Sequence, residues 1–575
     1  MTLLSNRLAL TALALLLTLP FLGAQHHLPI ATFRQEWLAA ILGLCALLPL
    51  LPLLPGDDGD AWEIPRTVLL PAAFIVLVWL QFAVAGSVLY ENAVLFSLYL
   101  AWAMLLMLLA CRLEQRLGRT AIADGIAWSL LAGSLLAAGT GAMQLWAPQL
   151  GLPYVFPSGG RVVGNLAQPN NFADYLWLGI AAASYLQVRG RLPWPALAAA
   201  LLPLLAFSLL SGSRSVYLYA LALTVWLLLR ARRTEGETRR RLLRGALLLL
   251  PGLLCLQWLI GVANLGGTSV SSAQRIVASG SYDAVRLTLW RAAADIFSDH
   301  PLLGAGFDSY SREFFQRIER FPLDGRGIPE HSHNILFEIA AEFGSAGLGG
   351  LLLAAGAWLA GLRRRYDEAG FLALGVLLVL GIHSGLEYPL WYAHFLAIAC
   401  LMLAIGERER WRLVAARRHR WLLLAGIALG LVTLIGLRGD YLRLEEAARG
   451  RQADGTPLPI ATRQAWLLES YSRSLWRHYA ALQFSVLMPI EADDVDGRLA
   501  LMREAVHFSP IRDAVFRYAA LLQLAGEESE ARVQLRRAML SYPDRIPQAR
   551  AEIEAAMAEA PTLAPLVELL RQRSF

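Results

Sequence analysis

Apolar runs long enough to cross a bilayer recur along this chain from its N-terminus to about residue 437, and they leave few folds open. A hydrocarbon core of roughly 30 Å takes about 20 apolar residues in a helix. Within that core every backbone N–H and C=O must be bonded inside its own segment, which makes the spanning elements helices. We read thirteen spans, at about 8–24, 37–54, 66–86, 92–111, 121–146, 172–188, 194–211, 215–230, 243–262, 335–361, 370–386, 389–406 and 421–437. The first resembles a signal-peptide core, but no convincing small-x-small cleavage site follows it and further spans do, so it is kept as span one.

The remaining 138 residues, 438–575, carry mixed charge and helical periodicity and have no long apolar run. The expected fold class is therefore all-α: a polytopic membrane domain over 1–437 and a small helical domain over 438–575. Only 17% of residues are charged, too few for a soluble chain of this length. The net charge of +6 does not point to nucleic acid, because the chain has no lysine and its arginines cluster between apolar runs. Cys45, Cys111, Cys255 and Cys400 lie far apart, in or beside those runs, with neither metal-ligand spacing nor a disulfide framework. No metal and no cofactor is expected.

The arginine clusters set the topology. They follow even-numbered spans: Arg112, Arg116 and Arg119; Arg189 and Arg191; Arg230, Arg232, Arg233, Arg239, Arg240, Arg241 and Arg244; Arg363, Arg364 and Arg365; and Arg408, Arg410, Arg412, Arg417, Arg418 and Arg420. These loops are expected on the cytoplasmic side, with the N-terminus. An odd number of spans places the C-terminal domain outside, in the periplasm of a Gram-negative cell. Three outer segments then hold most of the unusual polar residues: 147–171, the long loop 263–334, and the turn near 386–389. Amphipathic stretches at Ala284–Phe297 and Tyr310–Ile318 predict an ordered long loop.

Five constellations on that side could do chemistry. His331-Ser332-His333-Asn334 sits where the long loop becomes span ten, and places His333 in the first turn of a membrane helix. The positive helix end favours a neutral imidazole, which suits a general base acting on a hydroxyl; the alternative is a helix cap at Ser332 or Asn334 with interfacial histidines. Arg214 lies between two apolar runs, where an arginine usually faces an anion or a cavity, and guanidinium matches phosphate; the alternative is an arginine snorkelling at a tight hairpin. Arg286 and Arg291 head a loop helix and precede Gly304-Ala305-Gly306, a turn that could bring backbone N–H groups to an anion; a solvated helix face is the other reading. Gly164-Asn165-Leu166-Ala167-Gln168-Pro169-Asn170-Asn171 offers amides for sugar hydroxyls or diphosphate, or turn and cap chemistry before span six. In His383-Ser384-Gly385-Leu386-Glu387-Tyr388-Pro389-Leu390-Trp391-Tyr392, the aromatics fit an interface belt, while Glu387 at membrane depth needs a reason.

These residues resemble the O-antigen ligase and polymerase superfamily, and within it the bacterial pilin-type protein O-oligosaccharyltransferases. The ligase pattern is His, then Asn, Ser or Gln, nine residues, then Gly-x-x-Gly, Thr or Tyr. Here His333-Asn334 is followed by nine residues and Gly344-Ser345-Ala346-Gly347. The resemblance implies that Arg214 and Arg286 are the two family arginines, with Arg291 as the competing candidate for the second. It implies a substrate-binding Gln168, and a Tyr at either Tyr388 or Tyr392. His331, Asn334 and Glu387 are neighbouring substrate-binding candidates. The stretch His27-Leu28-Pro29…Phe33…Glu36 also looks like this branch. In the tail, Arg503-Glu504-Ala505…Pro510 and Arg536-Arg537-Ala538…Pro543 recur 33 residues apart, resembling a tetratricopeptide helix pair that would pack on the outer loop or bind a partner.

The resemblance implies a glycosyltransferase that moves an oligosaccharide en bloc from an undecaprenyl-diphosphate carrier to a hydroxyl of a pilin-like periplasmic protein. His333 would be the base, and Arg214 and Arg286 would hold the diphosphate. Sister activities are ligation to lipid A core and repeat-unit polymerisation. A lipid-linked glycan transporter is the rival of a different class; it would call for inverted repeats or mid-membrane charges, and neither is evident.

Overall fold

The computed structural model describes residues 2–51, 61–262, 280–364, 366–414 and 417–572. Helices dominate them. Eight are long and apolar enough to cross a membrane, among them Tyr90–Leu117, Arg119–Trp146, Gly236–Val262 and Ile335–Arg364, and four shorter apolar helices join them: Trp194–Leu210, Ser215–Ala231, Glu368–Ser384 and Ala393–Gly406. The chain is thus an all-α polytopic membrane protein. The span expected at 172–188 is the helix Pro169–Val188, buried continuously from Asn171 to Gln187. A helix covered on every side is a core helix, which is why it tolerates more polar residues than its lipid-facing neighbours.

The chain divides into two compact units. The first comprises residues 1–74, 98–280 and 350–434. Its centre is the Pro169–Val188 helix against Arg119–Trp146. The approach is close because small residues line it: a methyl on Gly179 would lie 2.4 Å from the Ser134 side chain, and one on Gly133 would lie 2.0 Å from the Tyr175 hydroxyl. Ser134 Oγ donates to the Tyr175 carbonyl at 2.8 Å, an added polar tie in an apolar setting.

One end of this unit gathers the arginine-bearing loops. Arg119 pairs with Asp367 at 2.7 Å and Glu114 at 3.0 Å, while Arg189 pairs with Glu368 at 2.7 Å and Asp124 at 3.4 Å. Arg410, almost fully buried, bonds Glu114 at 2.6 Å and Glu63 at 3.2 Å. Loops after even-numbered spans therefore meet through two sets of ion pairs. Two short strands there, Ala61–Pro65 and Arg410–Val414, pair antiparallel with Glu63 opposite Arg412. Sequence periodicity gave no sign of them, because five-residue strands between helices are set by that local charge pairing.

The second unit comprises residues 75–97, 281–349 and 435–575. The long outer loop is ordered where it is described, with helices Gly280–Asp299 and Tyr310–Gln316 meeting the amphipathic expectation. Its residues 263–279 lie outside the described residues. The tail is helical, with the hairpin Val495–Phe508 and Arg512–Leu524 followed by Glu528–Ser541 and Ile546–Met557. Ala505 and Ala538, equivalent in the 33-residue recurrence, are both fully buried in its core. The tail packs on the outer loop: Phe315 joins its hydrophobic core, Gly327 N donates to the Ser541 carbonyl at 3.2 Å, and Arg312 Nη1 lies 2.7 Å from His507 Nε2.

Candidate functional site

The first unit brings three of the sequence's polar segments into one buried cluster. Gln168 precedes the Pro169–Val188 helix, and its Oε1 accepts from Asn171 N at 2.5 Å. Gln168 is the cap, so it was not one of the asparagines that supplied this chemistry. Proline at the first helical position suits that entry, since its missing N–H would have had no partner. Asn165 is spent on structure: its Nδ2 donates to the carbonyls of Leu22 at 2.7 Å and Tyr154 at 2.8 Å. Asn170 and Asn171 reach outward from the first turn. Asn170 Nδ2 donates to Glu387 Oε1 at 2.7 Å, and its Oδ1 accepts from Ser213 Oγ at 2.7 Å. Asn171 Oδ1 meets His383 Nε2 at 3.0 Å, and His383 Nδ1 meets the Tyr219 hydroxyl at 3.0 Å.

Arg214 stands at the tight connection between Trp194–Leu210 and Ser215–Ala231, next to Gly212 at φ +68°. Its flanking residues Ser213 and Ser215 are buried and bond each other at 2.7 Å. The arginine is thus held on a rigid hairpin whose serine reads into the Asn170–Glu387 pair. Glu387 at membrane depth has its reason here: it ties the turn after Glu368–Ser384 to the amide segment. Tyr388 and Tyr392 lie tilted against each other, with ring centroids 5.8 Å apart, and Tyr392 stacks on His394 at 5.8 Å. His383 was given no role of its own from sequence, although a histidine inside an apolar helix is the signal that finds it.

In the second unit the histidine segment takes a different form from the one expected. The membrane helix begins at Ile335 with Asn334 before it; Asn334 Oδ1 accepts from Leu336 N at 3.0 Å and Phe337 N at 3.4 Å. His333 therefore precedes the cap and is not in the first helical turn. Its φ is +56°, a left-handed conformation uncommon outside glycine and enriched at sites that need a side chain aimed against the run of the backbone. His331 Nδ1 meets Glu338 Oε1 at 2.9 Å, and Glu338 Oε2 accepts from Ser332 N at 2.6 Å. Burial opposes a charge on His331, but Glu338, with Glu330 and Asp308 further off, outweighs it and raises the ring above its ordinary pKa. Asp308 is raised to about 6 by burial, moderated by His331. Its Oδ2 accepts from Asn92 Nδ2 at 2.7 Å.

The motif glycines have a packing cause. Gly344 breaks the helix at φ +62°, ψ −159°. There the loop Pro301–Gly306 docks: Ser345 N donates to Pro301 O at 2.8 Å, Ala346 N to Leu302 O at 3.1 Å, Ala305 N to Ala341 O at 2.9 Å and Gly306 N to Glu342 O at 3.1 Å. Methyls on Gly344 and Gly304 would meet backbone atoms at 2.5 Å and 2.2 Å. The Gly304-Ala305-Gly306 turn is thus no anion cradle, since the N–H groups of Ala305 and Gly306 are spent on this break and that of Gly304 on the His300 carbonyl at 3.0 Å. Gln81, in a wide helical turn over Gln81–Ala85, seals the seam by donating to the carbonyls of Leu303 at 2.6 Å and Glu342 at 2.7 Å.

Arg286 and Arg291 both lie on the Gly280–Asp299 helix. Arg286 is half-buried, along the face that holds Leu289 and Ala293, whereas Arg291 is exposed and about 140° round the helix.

Residues 198–352 match the family described as O-Antigen ligase. Residues 371–555 match the family described as Virulence factor membrane-bound polymerase, C-terminal. A General O-oligosaccharyltransferase of Acinetobacter baylyi is 27% identical over 418 residues, 70% of each chain. With the His-Asn-x9-Gly-x-x-Gly motif built around a helix entry and a docked break, and with two family matches and one relative beside it, the chain is a membrane glycosyltransferase similar to the O-antigen ligases and to a general O-oligosaccharyltransferase.

Proposed function

We propose that the protein transfers an oligosaccharide en bloc from an undecaprenyl-diphosphate carrier to a hydroxyl of a pilin-like acceptor protein, in the periplasmic leaflet of a bacterial inner membrane. The acceptor oxygen attacks the anomeric carbon, the bond from that carbon to the diphosphate breaks with inversion, and undecaprenyl diphosphate leaves with the electron pair. His333 takes the hydroxyl proton. Arg214 and Arg286 neutralise charge growing on the diphosphate, an effect commonly worth a few kcal/mol per donor. Gln168, Asn334, Glu387 and one of Tyr388 and Tyr392 shape the sugar and acceptor contacts.

The observation that carries this reading is His333, an imidazole held in left-handed backbone immediately ahead of a capped membrane helix within the ligase motif. The test is His333→Ala co-expressed with a lipid-linked glycan pathway and an acceptor protein. Loss of the glycosylated acceptor at unchanged protein level is expected; retained glycosylation overturns the base assignment. The match of 371–555 to a polymerase family favours repeat-unit polymerisation as the second reading. It predicts longer lipid-linked chains and an unmodified acceptor in the same experiment.

A further inference from the structure

We propose that Glu338 is a positioning residue for glycan transfer, gripping the His331 ring and the Ser332 amide together so that His331 stands as a cation beside the base and adds to the grip on the donor's diphosphate. The proposal rests on the transfer reading for its ligand, and on three observations within one unit.

The first is geometric. Both oxygens of one nearly inaccessible carboxylate are committed, to His331 Nδ1 at 2.9 Å and to Ser332 N at 2.6 Å. A carboxylate on imidazole Nδ1 fixes the ring's orientation and favours its protonated form. The second is the company it keeps. Asp308 lies on the neighbouring loop, bonded to Asn92 at 2.7 Å, and Glu342 lies one turn further along the same helix, where it accepts from Tyr310 N at 3.4 Å. Glu330 precedes His331 in the chain. The other charged group from a packed element is Arg312, which is engaged by Glu313 at 3.4 Å and His507 at 2.7 Å. Of these acids, Glu330 and Asp308 add to Glu338 in favouring charge on the His331 ring.

The third concerns the helix end. Glu338 sits in the first turn, where the exposed N–H groups favour an anion and disfavour an imidazolium. Burial also opposes charge on His331, and the direct carboxylate contact, with Glu330 and Asp308, still leaves the ring raised.

The test uses purified full-length protein and undecaprenyl diphosphate without sugar. Its dissociation constant is followed from pH 5.5 to 9 for wild type, Glu338→Gln and His331→Gln. The ligand's own protonation is common to all three. In wild type, affinity falls as His331 loses its proton. Glu338→Gln keeps an acceptor for Ser332 N but removes the charge, so the same fall occurs about one pH unit lower. His331→Gln removes this step altogether. Coincident curves for the three proteins overturn the proposal. A merely structural Glu338 would lower affinity evenly across pH, and that result also overturns it. Transfer by His333→Ala is measured alongside: if it persists while the curves shift, the base assignment falls and the His331–Glu338 pair stands. If the curves coincide while His333→Ala is inactive, the pair falls and the transfer reading stands.

Discussion

Replacing Gly344 with alanine should cripple the protein, although the change adds one methyl group inside an apolar helix. Gly344 occupies φ +62°, ψ −159°, a region that is essentially glycine-only and costs an L-residue about 1–3 kcal/mol. The new methyl would also lie 2.5 Å from the carbonyl carbon and oxygen of Leu302 and 2.6 Å from Gly304 N. These are backbone atoms and cannot swing aside, so overpacking adds about 1–3 kcal/mol. The expected loss is about 2–6 kcal/mol, concentrated where the Pro301–Gly306 loop docks. Gly349 supplies the control: it lies five residues further along, nothing stands within 4 Å of an added methyl, and its backbone is helical. Gly349→Ala should be neutral or gain about 0.5–1 kcal/mol. Both variants and wild type are compared by thermal unfolding in one detergent at one scan rate, with expression level as a second readout. A Gly344→Ala protein that melts with wild type, or below which Gly349→Ala falls, refutes the packing explanation of the motif glycines.

Other substitutions separate structural from chemical roles. Asn334→Ala should cost about 1 kcal/mol through loss of the cap, and Asn334→Asp should restore stability; transfer that fails equally in both shows an amide contact with substrate as well. A double-mutant cycle between Asn170→Ala and Glu387→Ala should give a coupling of about 1.5–3 kcal/mol for a buried bond to a charged group, while a cycle value near zero in unfolding experiments removes that pair from the site's scaffold. Burial pushes Glu504 up, but His478, Arg477 and Tyr471 more than reverse it and hold it down at about 2. A depressed carboxylate stabilises the fold above its unfolded pKa, and that contribution is lost as pH falls through the folded one. Glu504→Gln should therefore lower the tail's stability by about 1–2 kcal/mol at pH 7, after discounting for solvent screening, with the difference gone near pH 2. Circular dichroism melts at the two pH values decide it, and equal differences at both count against the assignment.

Much of the membrane domain was legible because lipid permits few solutions. Long apolar runs fixed the helices, and arginine clusters anticipated the network joining Glu114, Arg119, Asp367 and Arg410 at one end. The Ala61–Pro65 and Arg410–Val414 strands were not legible, since each is too short for a pattern and pairs across most of the chain. The motif spacing located His333, Gly344 and Gly347, but not the reason for the glycines, which lies in a loop some forty residues upstream. Left-handed backbone at His333 likewise has no signature in residue identity, because it follows from the cap at Asn334 and the hold of Glu338 on Ser332. Polar residues within apolar helices were the weakest reading. Gln168 caps the helix that follows it, and in that first turn Asn170 ties to Glu387 and Asn171 to His383.

The most direct test reconstitutes the purified full-length protein in lipid vesicles with an undecaprenyl-diphosphate oligosaccharide and a purified pilin-like acceptor. Intact-mass analysis of the acceptor then reads the outcome. The account predicts a mass increase of one whole oligosaccharide, abolished by His333→Ala and strongly reduced by Arg214→Ala. An acceptor of unchanged mass beside lipid-linked chains that have grown or moved between leaflets would contradict it.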